Sequence, residues 1–264
     1  MRRSRVTWST ILLAAVPFVV MLATYVTIAQ HRHRLNPNDP LLPLPAQLWT
    51  RFASSLSLHT SDSLAPLWMD IGASLVRLIA SLLFSGVIAL VLAVLMHETQ
   101  SLRTLLSASL VTIAKIPPVA ILPILLLWLG VNEKARIALI VLGLTPYLCI
   151  QLLHELEEAC RPLKEKMEGL RLPRWQRIFY VDVPLVWPTF LHQMQVLLGQ
   201  AWLFLLVAET FGAAHGLGYR IFVVRRFLAM DIIFVYVMWI TLLSVAMYSC
   251  LGLWRRRLRW HVRE

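Results

Sequence analysis

The sequence predicts an all-α integral membrane protein with about six transmembrane helices, and three observations carry that prediction. Hydrophobic residues make up 58% of the 264 and charged residues 15%, against roughly 45–50% and about 25% in soluble domains. Uncharged apolar runs recur along the chain, each near the length of about 20 residues that crosses some 30 Å of hydrocarbon. Lys and Arg gather in alternate connections, as expected where cytoplasmic segments retain positive charge. A soluble globule of this size could not cover so much apolar surface, and a disordered chain would not contain it. The excess of 25 Lys and Arg over 14 Asp and Glu gives +11. In a membrane chain that balance reflects cytoplasmic loops and predicts no nucleic-acid partner.

The first span is read over residues 11–29. Arg2, Arg3 and Arg5 precede it as in a secretory signal, but the apolar run exceeds the usual length of about 7–15 residues. His31 to Arg34 follow instead of a small-residue cleavage site. Residues 30–77 form a connection whose Pro37, Pro40, Pro43 and Pro45 exclude a regular helix over that turn. A short amphipathic surface segment is expected near residues 46–52. The remaining spans are read over 78–96, 105–130, 137–153, 183–208 and 232–254, the third with Lys115 in its first half. With both termini inside, the inner segments hold fifteen Lys and Arg and the outer ones nine, so that orientation is preferred. Cys149, Cys160 and Cys250 are far apart and odd in number, and suggest neither a disulfide framework nor a metal-ligand spacing.

The inner loop, residues 154–182, carries six basic and six acidic residues. Pro162 suits a first helical position, and Leu163, Met167 and Leu170 follow at spacings of four and three on one helical face. Pro173 ends that helix, a second short one runs from Arg174 to about Tyr180, and Pro184 marks the start of the fifth span. A helix-turn-helix with a small apolar stripe fits a docking element for a soluble partner, and equally a helix lying on the headgroups.

Residues 165–184, EKMEGLRLPRWQRIFYVDVP, resemble the EAA loop of binding-protein-dependent ABC importer permeases. Glu165 and Pro184 hold the family's places, and Arg174, Trp175 and Gln176 match its wording after the turn. Lys166 and Met167 replace the paired alanines, and Arg171 stands at the glycine position, two residues beyond Gly169. Residues 116–123 with 127–136, and 201–210 with Gly216-Leu-Gly-Tyr219, are similar to the nitrate, sulfonate and taurine branch. The resemblance covers roughly residues 74–260. It implies a MetI-like type I permease fold: residues 1–72 as N-terminal helix and outer connection, and 73–264 as permease core with a cytoplasmic coupling loop, 154–182. It also implies a second permease subunit, identical or homologous, a cytoplasmic ABC ATPase dimer, an outer solute-binding protein and a bacterial inner membrane. The chain itself would bind no cofactor, since ATP and Mg would sit on the ATPase. Leu163, Glu165, Lys166, Met167, Gly169, Leu170, Arg171, Arg174 and Pro184 would then couple ATPase closure to the spans. A non-glycine residue at a position needing positive φ is strained, so either the turn has moved from Arg171 to Gly169, the favoured reading, or coupling is altered.

Polar residues in the spans give the candidate translocation pathway: Lys115, His192, Gln195, Trp202 and Glu209. An ionisable residue at membrane depth is a functional candidate by default. Lys115 could equally snorkel to the interface, and His192 and Gln195 could hydrogen-bond between helices, with Gly199 permitting close approach. Glu209 could pair with Arg220, Arg225 or Arg226. Arg77 could attract an anion or anchor its helix end. Phosphate-loop, zinc-protease, nucleophile-elbow and dinucleotide patterns are missing from the sequence. A lipid-modifying membrane enzyme is the alternative, and would gather carboxylates and histidines at one depth.

Overall fold

The computed structural model describes residues 8–36, 40–55, 67–161 and 173–258. The chain divides into two compact units, residues 1–65 with 223–238, and residues 66–222 with 239–264.

In the first unit, α1 (Trp8–Leu35) runs unbroken through Pro17 and ends in Arg32, His33 and Arg34, cations that complement the carbonyl end of a helix. It contains the expected first span. The amphipathic segment anticipated near 46–52 is α2 (Pro45–Ser55). Its start is fixed locally: Pro45 brings a preset φ to the first turn, and Gln47 Oε1 accepts the Leu44 amide at 3.0 Å, satisfying one of the donors left open at a helix start. Tyr25 donates to the Pro43 carbonyl at 2.7 Å and meets Phe234 edge-on.

The second unit is built around α6 (Glu133–Cys160), which packs chiefly on α3 (Leu67–Glu98) and then on α7 (Arg174–Glu209), α5 (Pro118–Leu129) and α4 (Gln100–Ala114). Asn132 caps α6 by accepting the amides of Lys134 and Ala135, the usual role of a short polar side chain there. Leu122, Leu125, Ala135, Leu139 and Ala208 form a core cluster between α5, α6 and α7. A short helix, α8 (Leu217–Val224), tightens into a 3-10 turn over Arg225–Phe227. The last helix, α9 (Met230–Leu258), carries Arg255, Arg256 and Arg257 in its final turn.

Two expectations need correction. The third span, read as one crossing over 105–130 with a break at Pro117-Pro118, is two helices, α4 and α5, bent by 100°. Lys115 caps the carboxyl end of α4 at the break, and Pro117 is extended, with φ −62° and ψ 115°. Two consecutive prolines remove two amide donors and bar the preceding residues from the helix. The fifth span has its regular α-helix over Val183–Glu209, as read, but it is continuous with the short helix before it. Its helix begins at Arg174 and passes through a π turn over Ile178–Asp182. The Val183 amide there reaches back to the Ile178 carbonyl, a slip of one residue that lets the helix continue past a proline lacking its own amide. Among the described residues, four helices (α3, α6, α7 and α9) are long and apolar enough to cross a membrane, and the bent pair makes a fifth if counted as one.

Candidate functional site

The ends of α3, α6 and α7 that carry Asp70, Glu133 and Glu209 form a closed network of charges. Asp70, Ser74 and Arg77 lie at spacings of four and three on α3, hence on one face. Glu133 and Arg136 are three apart at the start of α6 and pair at 2.8 Å. Glu209 is the last residue of α7 and is fully buried.

Arg77 is committed at every guanidinium nitrogen. Its Nε and Nη2 donate to the two oxygens of Glu133 at 2.5 and 2.9 Å. Nη1 donates to Glu209 Oε1 at 2.7 Å and to the His215 carbonyl at 2.8 Å. Glu209 Oε1 also accepts from the Ser74 hydroxyl at 2.7 Å, and Oε2 from the Gly218 amide at 2.9 Å. Ser74 Oγ accepts the Leu217 amide, and Asp70 accepts the Gly216 amide and Arg220 Nε, each at 2.9 Å. Arg136 reaches the Gly212 carbonyl at 2.5 Å.

Three carboxylates (Asp70, Glu133, Glu209) face three guanidinium groups (Arg77, Arg136, Arg220), so the set balances its own charge. It holds the 210–216 connection and the first turn of α8 against three helix ends, and it offers no spare cation to an anion. The glycines are required by this closeness. A Cβ on Gly216, whose φ is +147°, would stand 2.6 Å from the Glu209 carboxyl carbon, and one on Gly218 would stand 2.4 Å from the Leu206 carbonyl oxygen.

At the opposite ends of the same helices, the flanks of the 162–172 segment are tied to α3 and α4. Arg177 donates through Nε to Glu98 Oε1 at 2.7 Å and through Nη2 to Oε2. Arg103 pairs with Glu157 at 2.7 Å. Asp182 accepts from the Cys160 thiol at 3.5 Å.

Of the expected coupling residues, Leu163, Glu165, Lys166, Met167, Gly169, Leu170 and Arg171 lie outside the described residues. Arg174 opens α7 and is exposed, beside the exposed rings of Trp175, Phe179 and Tyr180. Pro184 sits in the first α-helical turn after the π turn.

Among the pathway candidates, Lys115 is exposed at the α4–α5 break and His192 is exposed with Nδ1 2.5 Å from Arg255 Nη1. Gln195 is buried, donating to the Tyr248 carbonyl at 2.8 Å, and Trp202 is buried. His192, Gln195, Trp202 and Glu209 share α7 over roughly 26 Å at 1.5 Å per residue, and so stand at different depths. Glu209 meets Arg77, while Arg220 takes Asp70 instead. No heavy atom lies within 4 Å of a Cβ built on Gly199, so within this chain that glycine brings no helix close. Asp70, Ser74, Glu133 and Arg136 were not singled out from the sequence. The signal was there in the i, i+4, i+7 polar positions of α3.

The chain is 26% identical over 198 residues to the taurine transport system permease protein TauC of Escherichia coli K12, covering 75% of this chain and 72% of that protein. It is 32% identical over 158 residues to SsuC of the same organism, named for aliphatic sulfonates transport, covering 60% of each. A bacterial ABC transporter involved in the import of the acidic polysaccharide alginate shares the fold, with a TM-score of 0.63 over 94% of this chain and 95% of that one at 15% identity. Residues 85–260 match the family described as binding-protein-dependent transport system inner membrane component, and the chain belongs to that family of ABC-importer permeases.

Proposed function

We propose that this permease subunit forms half of the membrane pathway for a small anionic or polar solute of the sulfonate, taurine, nitrate or thiamine-precursor type. The observation that carries the solute class is the likeness to permeases named for taurine and aliphatic sulfonates. A second copy of the chain completes the pathway, an outer binding protein delivers solute, and a cytoplasmic ATPase dimer holds ATP and Mg. The family supports a bacterial inner membrane, and the distribution of Lys and Arg favours both termini inside. That orientation puts the Arg77–Glu209 network outside and the 162–172 segment inside.

Coupling follows from mechanics. ATPase closure reaches the spans through a short lever, with Leu163, Met167 and Leu170 as its apolar contact and Glu165, Lys166 and Arg171 at the rim. Arg174 and Pro184 pass the motion into α7, whose helix runs without a break from the lever's base to Glu209. Lys115, His192, Gln195 and Trp202 are proposed to face solute as the halves rearrange. No comparison favours the alternative of a lipid-modifying enzyme, since the likeness is to transport permeases throughout.

The test is purification of the tagged chain from its native cells in mild detergent, followed by ATP hydrolysis and solute uptake in proteoliposomes. A stoichiometric P-loop ATPase and solute-stimulated uptake are expected. The Leu163→Asp/Met167→Asp variant should insert and fold but lose uptake and the ATPase. A chain that elutes alone after gentle crosslinking, or normal uptake by the double variant, overturns the proposal.

A further inference from the structure

The fold assembles a constellation that no sequence spacing announces. His97 near the end of α3, Cys160 at the end of α6 and Asp182 in the π turn of α7 present one nitrogen, one sulfur and one oxygen, all within 4.8 Å of one another. Cys160 and Asp182 are buried, at 4% and 0% exposure. Asp182 Oδ1 accepts from the Cys160 thiol, but Oδ2 is buried with no hydrogen-bond partner among the described residues. A buried carboxylate oxygen left without a partner is costly, and this one sits in the cluster.

We propose that His97, Cys160 and Asp182 bind a divalent metal ion of the Zn2+ class. The donor set selects the ion: thiolate and imidazole favour zinc-like metals, while Mg2+ and Ca2+ require oxygen ligands. The spacing fits. Ligands at about 2.0 and 2.3 Å from a tetrahedral centre stand about 3.5 Å apart, and the Cys160 Sγ to Asp182 Oδ1 distance is 3.5 Å. Because all three donor atoms already lie within 4.8 Å, closure on the ion needs side-chain movement of about 1 Å.

Binding replaces the S–H bond by a metal–sulfur bond, and the thiol proton leaves to solvent. An open depression of about 410 Å³, lined by His97, Gln100, Glu157, Cys160 and the three arginines Arg103, Arg161 and Arg177, gives the ion a route and supplies water for the fourth position. Two of those arginines are already engaged, Arg177 by both oxygens of Glu98 and Arg103 by Glu157.

Cys160 and Asp182 are 22 residues apart and stand at the two ends of the segment that contains residues 162–172. The ion therefore pins both bases of that segment to α3. This consequence, though not the site itself, rests on the coupling reading above.

The test is Co2+ titration of the full chain, without an oligohistidine tag, in detergent. One equivalent should bind, with a thiolate-to-cobalt charge-transfer band and the intense visible bands of a tetrahedral site, and one equivalent of Zn2+ should displace it while Mg2+ does not. The Cys149→Ser/Cys250→Ser variant should keep the band, Cys160→Ser should lose it, and Asp182→Asn should weaken binding at least about tenfold. Cys160→His keeps a ligand, so it should bind cobalt without the charge-transfer band, which guards against a variant that merely misfolds. Failure of stoichiometric binding, a band that survives Cys160→Ser, or a band lost in the Cys149→Ser/Cys250→Ser variant overturns the site. None of these outcomes bears on uptake, so the transport proposal stands or falls separately.

Discussion

Removing Arg77 is the sharpest perturbation of the charge network. Its side chain is 8% exposed and faces Glu209, whose side chain is wholly buried. In Arg77→Met the Glu209 carboxylate keeps Ser74 and the Gly218 amide but loses its ion-pair partner, and the His215 carbonyl loses a donor. Breaking a buried pair from one side costs about 3–5 kcal/mol because a charge is left uncompensated. The Glu133 half of the contact adds little, since that side chain is 54% exposed and exposed pairs contribute about 0–1 kcal/mol. At about 2–4 °C per kcal/mol for a chain of this length, the variant should melt on the order of 10 °C below the parent in detergent. Adding Glu209→Gln removes the stranded charge yet keeps an acceptor for the Gly218 amide and a donor toward Ser74. The double variant should regain at least about 2 kcal/mol. Thermal unfolding of the four proteins completes the cycle. A single variant as stable as the parent, or a double variant no better than Arg77→Met, refutes the assignment of Arg77 and Glu209 as a buried compensating pair.

Three further outcomes are expected. Gly218→Ala places a Cβ 2.4 Å from the Leu206 carbonyl oxygen, so α8 must move and the Gly218–Glu209 bond breaks. A loss of about 1–3 kcal/mol is expected on thermal unfolding, whereas Gly199→Ala, with nothing within 4 Å, should be neutral or gain up to about 1 kcal/mol in the isolated chain. Gln195→Leu deletes one hydrogen bond to Tyr248 and should shift stability by about 0.6 kcal/mol. Lost uptake with that small change would mark Gln195 as facing solute, and unchanged uptake would confine it to helix packing. Arg171→Gly should keep uptake and ATPase association if the loop turns at Gly169, and loss of assembly in that variant would refute the moved turn.

The sequence determined the class of the molecule, because solvation by lipid demands long uncharged runs and leaves little freedom elsewhere. Composition alone separated it from soluble and disordered chains, and the order of motifs over residues 116–219 pointed to the permease family, later supported by the match over 85–260. Residues 46–52 were legible as an amphipathic helix for the same reason of periodicity. Where a helix breaks was less legible. Pro117 and Pro118 were visible, but a 100° bend depends on what the two halves pack against, whereas Pro184 was absorbed by a π turn and ended nothing. Partner choice was decided by tertiary structure alone. Arg77 and Glu209 are 132 positions apart, and Asp70 and Arg220 are 150. Sequence neighbours suggested Arg220, Arg225 or Arg226 for Glu209, but the crossing of α3, α6 and α7 set which charges met. The same crossing brought His97 beside Cys160 and Asp182, three ordinary residues in the sequence that become a donor set because helix ends from distant parts of the chain converge on one point.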